Sequence, residues 1–152
     1  MLPIIVSPSA LEAYLYAHIP MTKAIQLSVI DIQPEFLMVS APLAPNINHQ
    51  DTVFGGSASA VAILAAWAFV HTRLTSQNIS NKLVIQRNIM NYELPITGTF
   101  TAKAYITDET KWQTFIQMLL KRGRGRIKVM CILECSTQIV GRFEGEFVAF
   151  SQ

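Results

Sequence analysis

The chain has 152 residues, which suits a single domain over 1–152. Hydrophobic residues make up 51% of it and charged residues only 14%, with a formal net charge of +2. So small a net charge argues against a general attraction to nucleic acid, and the apolar composition predicts that part of the surface is covered in an oligomer.

The first part of the chain predicts one helix and two strands. Ser7 is typical of a helix N-cap, and the pattern behind it predicts an amphipathic helix over 8–19 that ends at Pro20. Alternating apolar residues predict a strand over 24–33, and a second strand is predicted over 36–41.

A polar loop then leads directly into an apolar segment. The loop ends in the pair Gly55 and Gly56, and the segment behind it predicts a helix from Ser57 to about Gln77 that is apolar on every side. A helix of this kind is buried all round or spans a membrane. The uninterrupted apolar run is about 14 residues, whereas a span needs roughly 20. The length therefore favours a helix that the rest of the protein surrounds, and no membrane association is expected.

The remaining chain is rich in strand patterns, with one helical interruption. Strands are predicted over 83–92, 98–108 and 124–136 and around Phe143 and Phe147, and a helix over 111–121 in which Phe115, Met118 and Leu119 share a face. Hairpin-like spacing favours an antiparallel sheet. A single apolar helix among five or six such strands predicts an α+β fold whose sheet curves around that helix.

Two features indicate the compartment. The N-terminal sequence lacks the basic region and the long apolar core of a signal peptide. Cys131 and Cys135 would lie on one face of a strand, too far apart along it for an easy disulfide bond. No histidine or second cysteine pair accompanies them, so we expect no metal site and predict reduced core thiols in a cytoplasmic protein.

The loop and the helix together carry a resemblance to a known family. The pattern consists of Asn48, Thr52, Phe54, Gly55, Gly56, Ser57 and, on the helix, Trp67, with a later proline and glycine at Pro95 and Gly98. It resembles the hotdog-fold thioesterases, and among them the YiiD C-terminal type, over roughly residues 5–150. The resemblance implies a homodimer or a dimer of dimers with acyl thioester sites at the subunit interface. It also implies coenzyme A or acyl carrier protein as the acyl carrier, and neither a metal nor a tightly bound cofactor.

The glycine pair is the expected centre of the chemistry. The backbone N–H of Gly56, helped by that of Gly55 or Ser57, is predicted to polarise the thioester carbonyl at the positive end of the helix. The alternative is that the glycines only permit a tight turn and close packing of the helix on the sheet. The two roles are compatible.

Polar residues of the loop are the remaining candidates. Asn48 would hold a water or the thioester, or else cap the loop. His49 could act as general base, and Asp51 could activate water or attack the carbonyl, although each could equally serve the loop itself. Thr52, Phe54 and Ser57 are predicted to contact the substrate, with helix capping as the alternative role of Thr52 and Ser57.

One position departs from the family pattern. Many hotdog acyl-CoA thioesterases carry an acidic residue on the central helix, where this chain has Ile63, and no acidic residue lies between 52 and 92. Either Asp51 substitutes, or a residue of the partner subunit does, or the protein binds acyl groups without hydrolysing them well. Glu35 and Glu93 are carboxylates near strand ends and are only weak candidates.

A basic segment follows the second predicted helix. Residues 121–128 hold five of the twelve basic residues, including Arg122, Arg124 and Arg126. They are predicted to bind the phosphates of coenzyme A or the acidic surface of an acyl carrier protein. The alternative is a solvated turn. Nucleic-acid binding is disfavoured, because no aromatic residues alternate with these charges.

Three functions are therefore open at this point. The first is a thioesterase for acyl thioesters, and the second is a module of the same fold that binds acyl groups or acyl carriers without catalysis. The third is a hydratase or dehydratase of that fold, which is disfavoured because the His and Phe-Pro-Gly type motif of those enzymes is absent. The fold alone does not decide among them.

Overall fold

A computed structural model describes residues 6–152 of the chain. In chain order the helices and strands are α1 (Pro8–His18), α2 (Pro20–Ala24), β1 (Ser28–Ile32), β2 (Leu37–Ala41), α3 (Gly55–Ser76), β3 (Asn81–Tyr92), β4 (Phe100–Tyr105), α4 (Glu109–Arg122), β5 (Arg124–Cys135) and β6 (Gln138–Ser151). A short 3₁₀ turn at Ala44–Asn46 leads into the polar loop.

The strands form one six-stranded sheet in the order β1-β2-β4-β5-β6-β3. Every neighbouring pair is antiparallel. The sheet is thus the antiparallel one expected from the sequence, and the α+β prediction is confirmed. Strand β3 follows α3 in the chain but lies at the edge of the sheet, where it pairs with β6.

Helix α3 packs against five of the strands, β2 to β6. It has 22 residues, and twelve of them are buried. Small side chains such as Ala62, Ala65 and Ala66 allow this close packing, because an alanine keeps the helix axis near the strands that surround it. The helix begins at Gly55, two residues before the expected start at Ser57, since both glycines adopt helical geometry.

The sequence argument from helix length was wrong. By length and composition alone, the 22 residues of α3 are long and apolar enough to cross a membrane. The apolar run counted in the sequence was shorter than the helix, because the count ended before His71 and Arg73. In the fold, 61% of the most apolar window of α3 is buried, so the core accounts for its composition.

The N-terminal segment agrees with the sequence in part. The Ser7 hydroxyl accepts a hydrogen bond from the backbone N–H of Ala10 at 3.1 Å and caps α1, as predicted. Pro20, however, does not only end that helix but begins α2, since proline fits the first helical position. Strand β1 then begins at Ser28 instead of Ala24, after a turn in which Gln26 has a φ of 56°.

Helix α4 packs on β5 and β6 through Trp112, Phe115 and Leu119, which are buried. Met118 was predicted to share this buried face but is 39% exposed. On the facing strand, Cys131 and Cys135 are free and buried, in agreement with core thiols. Burial raises the pKa of the Cys131 thiol far above its ordinary value, so this thiol stays protonated.

Candidate active site

Asn48 holds the polar loop closed. Its side-chain oxygen accepts hydrogen bonds from the backbone N–H groups of Gln50 at 2.8 Å and Thr52 at 3.2 Å. Its side-chain NH₂ donates to the Thr52 hydroxyl at 3.0 Å, and the backbone N–H of Asn48 bonds the Thr52 carbonyl at 2.8 Å. The amide is therefore hydrogen-bonded within the loop through both its oxygen and its nitrogen, which is the capping role weighed as the alternative for this residue.

The residues between Asn48 and Thr52 form the tip of the loop. His49, Gln50 and Asp51 are exposed there. Asp51 has a φ of 61°, in the left-handed region that Asp and Asn tolerate better than most residues. The structure thus brings His49 and Asp51 together at the tip.

Behind the loop, α3 begins without a side-chain cap. Phe54 is the N-cap residue, and no side chain hydrogen-bonds the first turn. The N–H groups of Gly55, Gly56 and Ser57 have no partner within the helix, because the first intrahelical bond runs from Ala58 to the Phe54 carbonyl, at 3.1 Å. Three donors at the positive end of a helix dipole are thereby available to an acceptor.

Gly56 lies very close to a neighbouring ring. A Cβ atom at this position would lie 2.4 Å from Cε2 of Phe54. The Phe54 ring is itself 57% exposed, so an apolar surface lies directly beside the free N–H groups.

The end of β3 is tied to the start of α3. The Tyr92 hydroxyl donates a hydrogen bond to the Gly55 carbonyl oxygen at 3.0 Å, and the N–H of Val53 bonds the Ile96 carbonyl at 2.9 Å. Between these two ties lies a cavity of about 380 Å³. It is lined by Thr52, Val53, Gly55, Ala58, Tyr92, Glu93, Leu94, Pro95 and Ile96.

Glu93 supplies the one carboxylate among these lining residues. Its Oε2 pairs with Nε of Arg142 on β6 at 2.8 Å. The backbone N–H groups of Glu93 and Leu94 both bond the Val140 carbonyl, at 2.9 Å and 3.1 Å. Asn48, His49 and Asp51 do not line this cavity. Sequence reasoning gave Glu93 little weight and Tyr92 none, and the only signal was their place just before Pro95 in the family-like segment.

Carbonyl-polarising donors and a carboxylate are the parts that acyl transfer to water requires. A family described as "Putative thioesterase (yiiD_Cterm)" matches residues 8–151. The chain belongs to this family.

Solved structures share the fold of this yiiD_Cterm member along nearly their whole length. A protein of unknown function from Chlorobaculum tepidum is 24% identical and has a TM-score of 0.88, with 97% of this chain and 98% of that chain covered. A "putative thioesterase" from Shewanella oneidensis is 26% identical with a TM-score of 0.84, covering 94% and 96%. A thioesterase from Haemophilus influenzae is 10% identical with a TM-score of 0.76, covering 99% and 96%. The predicted hotdog fold is confirmed.

Ile63, which stands where many hotdog acyl-CoA thioesterases carry an acid, lies on a half-buried stripe of α3 together with Trp67 and His71. The Trp67 indole N–H donates to the Leu83 carbonyl of β3 at 3.0 Å, and its ring stacks on that of His71 at 4.6 Å. Burial lowers the pKa of His71, so the imidazole is neutral at pH 7. In this yiiD_Cterm chain the helix surface leading away from Gly56 is therefore apolar and uncharged.

The predicted basic residues lie at the other end of the sheet. Tyr92 pairs with Gly141, whereas the opposite end of β3, Asn81, pairs with Ser151. Arg124 pairs with Phe150, one residue from Ser151. Within one chain the arginines and the helix start are thus separated by most of the twelve residues of β3, or roughly 35–40 Å.

The arginines surround a cavity of their own. A volume of about 410 Å³ is lined by Thr114, Phe115, Met118, Arg122, Arg124, Gly125 and Arg126. The ion pairs formed by residues 6–152 involve other cations, namely Arg73, Arg87, Lys128 and Arg142. The guanidinium of Arg124 lies 5.5 Å from the centre of the Phe150 ring. Three cations without a carboxylate partner and an apolar floor are suited to an anion attached to an organic group.

Proposed function

We propose that the protein hydrolyses acyl thioesters of coenzyme A or acyl carrier protein. One observation carries the proposal: the uncapped start of α3 lies beside a cavity that also holds a carboxylate. The thioester carbonyl would accept a hydrogen bond from the N–H of Gly56, helped by Gly55 or Ser57, and each such donor is typically worth about 3 kcal/mol in the transition state. The predicted contacts of Thr52 and Phe54 with substrate belong to the same proposal. The catalytic roles of His49 and Asp51 stay predictions.

The proposed active unit is a homodimer, either alone or within a dimer of dimers, formed through the edge strand β3. Its twelve residues leave one row of backbone N–H and C=O groups without a strand partner among residues 6–152. Apolar side chains along it, Val84, Ile89 and Tyr92, are each more than half exposed. A long, apolar, unpaired edge strand is prone to pair with another chain. The β3 of a second copy would pair with it in antiparallel orientation and form a two-fold symmetric dimer.

This pairing would complete the site. In an antiparallel β3 pair, Tyr92 of one chain lies beside the Asn81 end of the other. The partner's Arg124 is then about three strand spacings away, roughly 15 Å. A phosphopantetheine arm is about as long as an extended pentapeptide, roughly 17 Å. The acyl group would therefore bind at the helix of one chain while the carrier's phosphate or acidic surface meets the partner's Arg122, the partner's Arg124 and the partner's Arg126.

The activity is tested by release of free thiol from short-, medium- and long-chain thioesters of coenzyme A and of acyl carrier protein. The parent is compared with Gly56→Pro and with Asp51→Ala. Turnover in the parent that Gly56→Pro abolishes supports the proposal. Loss of turnover in Asp51→Ala would place the catalytic carboxylate in the loop, and retained turnover would place it elsewhere. A folded parent without turnover on every thioester contradicts the proposal.

The interface is tested by mixing two inactive variants, Gly56→Pro and the triple variant Arg122→Ala/Arg124→Ala/Arg126→Ala. If each site combines the helix of one chain with the arginines of the other, a mixed dimer contains one intact site. After subunit exchange, about a quarter of the parental rate is expected to return. If all parts of a site came from one chain, mixing would restore no activity.

A non-catalytic acyl-binding module is the second candidate, and Ile63 favours it. Many hotdog acyl-CoA thioesterases have an acidic residue at this helix position. An isoleucine there extends the apolar surface of α3 and supplies no acid or base for hydrolysis. This function predicts saturable binding of acyl-CoA or acyl carrier protein without thiol release. For either function we propose a cytoplasmic location, which suits two free cysteines.

A further inference from the structure

We infer that Glu93 is the general base of this site and takes the place of the missing acid at Ile63. The inference rests on the proposed thioesterase function and names the residue that activates water. The sequence left this group open between Asp51, a residue of the partner subunit and no catalytic acid, with Glu93 and Glu35 as weak candidates.

The first support is the position of Glu93 in the cavity. Glu93 shares the cavity of about 380 Å³ with Gly55 and Ala58 of the first turn of α3. The residue before it, Tyr92, is hydrogen-bonded to Gly55 at 3.0 Å, which holds the end of β3 against the helix start. Leu94, Pro95 and Ile96 form an apolar wall beside it. The Glu93 side chain is 38% exposed, so its carboxylate is partly shielded from bulk water in this cavity.

The second support is that Glu93 is held in place at both ends. Its backbone N–H bonds the Val140 carbonyl at 2.9 Å, and its Oε2 pairs with Arg142 Nε at 2.8 Å. Within residues 6–152, Oε1 accepts no hydrogen bond, and Oε2 makes the shortest contact with Arg142. One carboxylate oxygen is thus fixed to β6, and the other is available to a water. This arrangement fixes the orientation of the carboxylate and leaves Oε1 in a position to accept a proton from water.

The third support comes from the other carboxylates. Asp51 lies at the exposed loop tip and does not line the cavity. Glu35, in the connection between β1 and β2, is exposed and does not line it either. Glu109, Glu144 and Glu146 also lie outside this cavity, where they pair with Arg73, Lys128 and Arg87. No acidic residue occurs between 52 and 92. In the described part of the chain, Glu93 is the carboxylate that lines the cavity beside the start of α3.

The step itself is a balanced hydrolysis. Glu93 takes one proton from a water as the water oxygen forms a bond to the thioester carbonyl carbon. The carbonyl oxygen becomes negative and is stabilised by the N–H groups of the first turn of α3. The C–S bond then breaks, the sulfur leaves with the electron pair, and the proton passes from Glu93 to the thiolate. The products are a carboxylic acid and a free thiol, and Glu93 is again a carboxylate.

The test compares the full-length parent with Glu93→Gln, Glu93→Asp and the matched control Glu146→Gln. Glu146 lies on β6, outside the cavity, and like Glu93 it is paired with an arginine, in this case Arg87. Each protein is assayed for thiol release and for binding of a thioether analogue of acyl-CoA, which cannot be hydrolysed. Circular dichroism and size-exclusion chromatography check that each variant is folded and assembled like the parent.

We expect kcat of Glu93→Gln to fall by about 100-fold or more while the Kd for the analogue changes by less than about threefold. Glu93→Asp, which keeps the charge, should recover part of the rate, and Glu146→Gln should match the parent. If Glu93→Gln does not fold, the double variant Glu93→Gln/Arg142→Gln, which leaves no unpaired charge, is judged by the same criteria.

The inference and the proposed function fail in different ways. An active parent whose Glu93→Gln variant keeps its rate within about threefold overturns the inference and leaves the thioesterase intact. A parent that binds the analogue but hydrolyses no thioester overturns both. Equal losses of rate in Glu93→Gln and Glu146→Gln also overturn the inference, because they show a general effect of removing an ion pair from the sheet.

Discussion

The hydroxyl of Tyr92 donates a hydrogen bond of 3.0 Å to the carbonyl oxygen of Gly55. This contact joins the last residue of β3 to the first residue of α3. The Tyr92 ring also lies 3.5 Å from the place where a Cβ of Gly55 would be. The Tyr92 side chain thus links α3, whose first turn carries the proposed N–H donors, to the end of β3, directly before the proposed base Glu93.

Replacing Tyr92 by phenylalanine removes this hydrogen bond and keeps the ring. A net hydrogen bond is worth about 0.5–1.5 kcal/mol, so kcat/KM for an acyl thioester is expected to fall roughly 2- to 12-fold if the contact aligns the site. Tyr14→Phe is the control, because the Tyr14 ring stacks with His18 and His71 instead. An unchanged kcat/KM in Tyr92→Phe would show that the helix start needs no such alignment.

Gly56→Ala separates function from folding. The new methyl group would meet only the outer edge of the exposed Phe54 ring, which can rotate away, and alanine favours a helix. We therefore expect an unfolding free energy within about 0.5 kcal/mol of the parent. Because the methyl group and the displaced ring crowd the free N–H groups, kcat should fall about tenfold or more. Denaturant unfolding and thiol release measure the two effects, and a variant with parental kcat would rule out these N–H groups as the oxyanion site.

The turn of the hairpin between β5 and β6 can be made more stable. Its two turn residues, Ser136 and Thr137, have φ angles of 51° and 66°, which a β-branched residue adopts only with strain. Asn and Gly are the residues preferred in a two-residue turn with both φ values positive. The double change Ser136→Asn/Thr137→Gly should stabilise the fold by about 1 kcal/mol and raise Tm by about 2–4 °C. A lower Tm would mean that the parental side chains make compensating contacts.

Glu109 gives the fold a dependence on acid pH. Hydrogen bonds from Arg73, whose guanidinium lies 4.7 Å from the Phe69 ring, hold the pKa of the Glu109 carboxyl below its ordinary value of 4.5. The pair therefore stabilises the folded state above about pH 4.5, and this contribution disappears as the pH falls through the folded value. Since the Glu109 side chain is 61% exposed, the contribution at pH 7 is below about 1 kcal/mol.

The measurement is Tm between roughly pH 3 and pH 7 for the parent and for Glu109→Gln. The variant should have the lower Tm at pH 7, and the difference should shrink toward pH 3. Glu134→Gln, which removes an exposed carboxylate without an ion pair among residues 6–152, should leave the curve unchanged. A constant difference at all pH values would assign the effect to packing instead of charge.

Local chemistry made much of the fold predictable. The Ser7 cap, the alternation along β5 and the glycine pair before an apolar helix each depend on neighbours in the sequence, and all three are present in the structure. The errors were also local. Proline was read only as a helix end at Pro20, although it equally suits a helix start. Met118 was placed in the core by spacing, although the wall it helps to form is open to solvent.

The candidate site was harder to predict because its parts are distant in the sequence. Tyr92 and Gly55 are 37 residues apart, and only the placement of β3 beside β6 brings them together. The same placement puts Arg142 next to Glu93. A sequence pattern of period two shows that a strand exists but not which strand is its neighbour. For this reason the sequence favoured Asp51 in the loop as an acidic candidate and gave Glu93 little weight.

The place of α3 in the chain has a consequence for biosynthesis. Its 22 residues leave the ribosome before four of the six strands that make up the sheet. Until β3 to β6 are synthesised, most of the strands that bury α3 are missing, and an apolar helix long enough to cross a membrane is exposed. The nascent chain therefore passes through a stage that is prone to aggregation, and pairing of the last strand, β6, with both β5 and β3 ends it.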